Sequence, residues 1–112
     1  MDSILTTAKG LLTGLANSND FDADLIAYIN SVFLVLKQIG VGPDKGFVIT
    51  GDTETWTDFI PNNVVLRESV KAYVSNKTRL QFDPPTNSVL LDALRRNIDE
   101  FEWRLNAEVE TT

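Results

Sequence analysis

The sequence predicts an all-α fold: a small bundle of about four helices, with a long ordered loop or short β-hairpin between helices two and three. Three observations predict it. Within Asp22 to Gly40, Leu25, Ile29, Val32, Leu36 and Ile39 recur at steps of four and three, which lines one face of a helix. Leu91, Leu94, Ile98, Phe101 and Leu105 repeat that spacing near the end of the chain. The one β-like run, Phe47 to Thr50, is short and bounded by Gly46 and Gly51. With 112 residues, 43% hydrophobic and 23% charged, residues 1–112 read as one domain with a modest core and a flexible tail from about 107.

Ser3 to Leu12 is the first helix candidate, with Ile4, Leu5, Ala8, Leu11 and Leu12 on one face. Asp2 or Ser3 is placed to cap it, Gly10 weakens it and Gly14 ends it. A helix of about ten residues is marginal alone, so it must pack on something. Ala16 to Asp20 is a loop of turn-forming residues.

The central helix follows, roughly 28 Å long at about 1.5 Å per residue. Asp22 is the expected N-cap, Asp24 complements the helix dipole, and Phe21 and Ile26 form a hydrophobic staple. Gly40, with Gly42 and Pro43 behind it, marks the end. Phe33 to Leu36 is apolar throughout. A helix open to solvent on one side rarely carries such a run. The helix is therefore expected to be covered on most of its surface, by its own chain or by a neighbouring copy.

Val41 to Gly46 is a turn by composition. Phe47 to Thr50 reads as a strand, and Thr53 to Ile60 either returns as a second strand or forms an ordered loop pinned by Trp56 and Phe59. A connection of about twenty residues is longer than usual. Its aromatic residues have two readings: Trp56 and Phe59 plug the bundle's own core, or they reach across to another subunit.

Asn62 or Asn63 opens the third helix, which runs to about Phe82 with Val65, Leu66, Val70, Tyr73 and Val74 as its stripe. Ser75 to Arg79 then interrupts the pattern with polar residues. Lys71, Lys77 and Arg79 form either a solvated face or a basic patch for an acidic surface on a neighbouring copy. Asp83-Pro84-Pro85 stops the helix. Thr86 or Asn87 caps the last one, which runs to about Asn106. Asp92–Arg96, Arg95–Asp99, Arg96–Glu100 and Glu100–Arg104 are i,i+4 ion pairs along it. Trp103 lies off the seam and needs a partner elsewhere. Ala107 to Thr112 is an acidic tail expected to fray.

Composition removes whole classes of function. The chain has no cysteine and no histidine, hence no thiolate nucleophile, no zinc–thiolate site, and neither the commonest general base nor the commonest metal ligand. A net charge of −6 disfavours a nucleic-acid binder. It supports either solubility or an acidic surface past which DNA slides without sticking. The acids Asp20, Asp22 and Asp24, and Asp52, Glu54 and Asp58, lack the glycine and closing glutamate of a calcium loop, and read as caps or solubilising groups. No glycine-rich phosphate loop is present. No catalytic, cofactor or metal site is therefore assigned. No membrane-spanning run and no signal peptide are found, so a cytoplasmic protein is expected.

Several motifs carry a resemblance. Ile29-Asn30-Ser31-Val32-Phe33, Gly40-Val41-Gly42-Pro43, Trp56 with Asp58-Phe59, Phe82-Asp83-Pro84-Pro85 and Glu102-Trp103-Arg104-Leu105 stand in the order and spacing of one family. From about Ser3 to Asn106 the chain resembles the head-to-tail connector, or adaptor, proteins of long-tailed bacteriophages and prophages. It departs at Ser75-Asn76, where larger apolar or aromatic residues are expected.

The resemblance implies a structural virion protein, not an enzyme. Such proteins form a ring, usually dodecameric, beneath the portal at the neck between head and tail. They join the portal to the stopper, or head-closure, component and extend the channel through which DNA passes without sequence-specific binding. Assembly would take place in the bacterial cytoplasm. Phe47, Trp56, Phe59, Lys77, Arg79 and Trp103 become candidates for the subunit interface. Ala107, Glu108, Val109 and Glu110 become candidates for a tail that docks on the portal. The competing reading is a small cytoplasmic helical regulator, dimeric through its last helix, or another phage neck protein.

Overall fold

The computed structural model describes residues 3–10, 12 and 19–111, with side chains as far as Ala107. Asp2 as a cap, Leu11 on the first helix face, Gly14 as a helix end and most of the 16–20 loop lie outside the described residues. So do the side chains of Glu108, Val109 and Glu110. The described chain forms five helices: α1 (Ile4–Gly10), α2 (Asp22–Gln38), α3 (Trp56–Phe59), α4 (Val64–Phe82) and α5 (Ser88–Thr111). The all-α expectation holds. Helix α4 is the hub, because α1, α2, α3 and α5 all pack against it.

Helix faces follow the apolar spacing. Leu25, Ile29, Val32, Phe33 and Leu36 of α2 are buried, as are Leu94, Ile98 and Leu105 of α5. Ile4, Leu5, Ala8 and Leu12 bury the first segment, which gives the short α1 the packing it needs. The predicted end of α2 also forms. Gly40 has φ +92°, its N–H donates to Lys37 O at 3.0 Å, and the Val41 N–H donates to Leu36 O at 2.8 Å. Two terminal carbonyls are thereby satisfied by one left-handed residue.

Three expectations about local structure change. Asp22 is not the N-cap: Phe21 holds that position without a side-chain cap bond. The Asp22 carboxylate turns instead to Lys9, 2.9 Å away, whose ammonium also donates to Asn19 Oδ1 at 3.2 Å. A nearly buried cation needs such partners more than the helix end needs a cap. Second, no hairpin forms. Thr53 to Ile60 contains the one-turn helix α3, because Thr55 and Asp58 make a capping box: the Asp58 N–H donates to Thr55 Oγ1 at 3.1 Å and the Thr55 N–H to Asp58 Oδ2 at 3.0 Å. Among the described residues the only β-pairing is an isolated antiparallel bridge between Ser3 and Thr55. Third, α5 continues to Thr111, past the Asn106 end the sequence suggests, so the segment expected to fray extends the helix.

The two asparagine caps are found where expected. Asn63 Oδ1 accepts from the Leu66 N–H at 3.0 Å, and Asn87 Oδ1 from the Val89 N–H at 2.8 Å. The polar run of α4 is not simply a solvated face. Ser75 and Thr78 are buried, and the Thr78 hydroxyl donates to Val74 O at 2.8 Å. A hydroxyl that bonds back into its own helix can be buried at modest cost.

Candidate functional site

The long connection is an ordered wall around Phe33. That ring packs on Phe59 at 4.6 Å between centroids, on Phe47 at 5.7 Å and on Trp56 at 6.4 Å. Gly42, at φ +94°, leaves room for the Phe59 ring: a Cβ there would lie 2.6 Å from its edge. The carboxylate of Glu54 gathers the Thr50 N–H at 3.0 Å and the Thr50 hydroxyl at 2.8 Å. Those bonds, the hydroxyl's foremost, hold its pKa below the usual carboxylate range. The Ile4 N–H donates to Glu54 O at 3.0 Å, tying the start of α1 to the same loop. Arg67 donates to Ile60 O at 2.8 Å and closes the far end.

This geometry sorts the candidate interface residues. Trp56 and Phe59 are core, 1% and 2% exposed, so neither side chain is available to a neighbour. Their inward reading is the one the fold adopts, because α3 turns both rings onto Phe33. Phe47 is half-buried at the edge of that cluster. Lys77 and Arg79 are half-buried on α4, with the Lys77 ammonium 5.5 Å from the Tyr73 ring centroid. Trp103 is 71% exposed on the face of α5 opposite its seam.

Beneath Lys77 lies a tyrosine pair. The Tyr28 hydroxyl donates to Lys77 O at 3.4 Å. Burial pushes the Tyr73 phenol well above its ordinary range, and the Glu102 carboxylate adds to the shift through its charge and a hydrogen bond. Tyr28 is raised for the same two main reasons, burial first and the Glu102 charge second.

The exposed surface is the informative part. Leu34 and Val35 on α2, Val48 in the connection, Val64 and Val65 at the start of α4, and Val89 and Leu90 at the start of α5 all remain open. Leu34 stands opposite the buried face of α2, so no repacking of the bundle covers it. Sequence spacing finds Trp103 and the Phe33–Leu36 run but misses Val48, because nothing local tells which side of an extended loop faces out. Among the described residues no group of three metal-ligating side chains comes together, and no helix is long and apolar enough to cross a membrane.

The structure thus combines a helical bundle, an ordered aromatic connection and uncovered apolar helix faces. A family model described as phage connector protein matches residues 4–112. The chain belongs to the phage connector protein family. No curated protein and no solved structure matches it. As a phage connector it is a structural component of the virion, and its relevant sites are surfaces that meet portal or tail components. The connector match spans all five helices. It therefore includes the connection around Phe33 as well as Trp103.

Proposed function

We propose that this connector is the head-to-tail adaptor: it forms a ring, dodecameric in the expected case, beneath the portal, joins it to the stopper or other tail components, and extends the DNA channel. The observation that carries the reading is the pairing of connector-family membership with exposed apolar groups on two helices, Leu34 on α2 and Trp103 on α5. Leaving such side chains in water forgoes roughly 1.5–3 kcal/mol each, which a neighbouring subunit recovers. Phe47, Lys77, Arg79 and Trp103 remain interface residues in this reading, while Trp56 and Phe59 act from inside by holding the connection in place.

The role is positional, not chemical. Repetition of a subunit of charge −6 around a ring gives an acidic assembly. An acidic lumen repels the phosphate backbone, so DNA slides through without sticking. The C-terminal segment, residues 107–112, docks on the portal. Electron microscopy of the purified protein with portal rings of its own phage tests the proposal. An added layer on the portal is the expected result. A small particle that never decorates the portal would instead favour a dimeric regulator. Removal of residues 107–112 should abolish portal binding, and unchanged binding would exclude the docking role.

A further inference from the structure

The outer face of α2 and the 45–48 segment enclose an open groove of about 390 Å³. That falls in the range of about 300–1,000 Å³ typical of sites that seat a large side chain or small ligand. Leu34, 56% exposed, and Val48, 62% exposed, form its open walls, with Phe47 beside them. Lys37, in the last turn of α2, and Lys45 are its cations. The groove is thus apolar inside and basic at the rim.

The same chain carries a knob of the opposite kind. Trp103 projects from the outer face of α5, and Asp99, exposed one turn earlier, flanks it, while the Glu100 carboxylate is already paired with Arg104 at 2.6 Å. Knob and groove stay open at once in a single molecule, so they do not satisfy each other within it.

We infer that Trp103 of one copy seats in the Leu34–Val48 groove of the next, with Lys37 and Lys45 facing the Asp99 carboxylate. An indole supplies a large, rigid anchor, and a lysine at its face adds a cation–π attraction. The contact joins two different patches of one surface, which is the head-to-tail type. Repeated with closure it generates a ring, and without closure a filament. The inference rests on the ring reading for its closure, and on exposure and charge for the contact itself.

The chain has no cysteine, so introduced thiols report cleanly. Val48→Cys and Asn106→Cys, both at exposed positions, place one thiol at the groove and one beside the knob while keeping Trp103. Mixed on portal rings and treated with a short flexible bis-maleimide, they should give a cross-linked pair that neither variant gives alone. A chain with both cysteines should give a ladder. Trp103→Ala in the Asn106→Cys chain should lower the yield at least tenfold, with its melting curve unchanged. Lys37→Glu/Lys45→Glu should lower it similarly, and Asp99→Lys in the partner should restore it. A mixture no more cross-linked than the single variants overturns the contact. If the portal still gains a layer in that case, the ring reading survives with a different interface. A ladder without a portal layer keeps the contact and removes the portal reading.

Discussion

Asn30 pairs with the main chain of Ile49 through both ends of its carboxamide: Nδ2 donates to Ile49 O at 3.0 Å, and Oδ1 accepts from the Ile49 N–H at 2.8 Å. One side chain on α2 thereby acts as the missing strand for Phe47 to Thr50. It satisfies both backbone groups of a buried residue, which would otherwise carry the cost of unmet polar atoms. Phe47 and Val48 are set in place beside it, one on the aromatic cluster and one at the groove.

Substitution of Asn30 should therefore loosen the connection and leave the helices formed. Asn30→Ala removes both bonds and should cost about 1–3 kcal/mol. Asn30→Asp should be no better, because a carboxylate cannot donate to Ile49 O. Urea unfolding gives the cost. Hydrogen exchange at Ile49, faster in both variants than in the parent, gives the location.

Gly42→Ala tests the close approach to Phe59. The left-handed backbone and the 2.6 Å approach of its Cβ to the ring both oppose a side chain there. A loss of about 1–3 kcal/mol is expected. Thermal unfolding of Gly42→Ala beside Gly10→Ala is the check, since a Cβ at Gly10 meets nothing within 4 Å.

Trp56 and Trp103 should behave as opposites. Trp56→Ala opens a cavity against Phe33 and should cost about 3–5 kcal/mol, enough to unfold much of the protein. Trp56→Phe should cost far less, because the buried Nε1 has no hydrogen-bond partner among the described residues to lose. Trp103→Ala should change stability by no more than about 0.5 kcal/mol, the usual range for an exposed site. Chemical denaturation of the three variants separates core from surface.

The chain has two tyrosines, and both should titrate late. Each phenol is raised in the folded state, so folding favours its neutral form. The stability this contributes is complete below the unfolded tyrosine value of about 10 and is lost as pH rises through the folded values. Tyrosinate absorbance should therefore appear above that range in the native protein, coupled to alkaline unfolding, and near it in urea. Glu102→Gln removes the neighbouring charge and should bring both titrations down.

Much of this architecture is legible in local spacing. The α2 and α5 faces, the Asn63 and Asn87 caps, the Gly40 stop and the break at Asp83-Pro84-Pro85 all follow from residues a few positions apart. The capping box of α3 was also legible as Thr55-x-x-Asp58. The β-like composition of the surrounding run obscured it. Ser75 and Thr78 could not be read as buried from α4 alone, because their environment depends on what packs over them.

Local sequence is enough to specify the four main helices, the apolar face of each, and an excess of apolar helix surface at Leu34, Val35 and Trp103. These are consequences of backbone hydrogen bonding and side-chain period within a few residues. Long-range packing selects the rest: Trp56 turns inward, Lys9 finds Asp22, Asn30 holds Ile49 across nineteen positions, and Val48 faces out beside Leu34. Those pairings form when distant segments meet, and the core they share selects among the alternatives that local propensity leaves open.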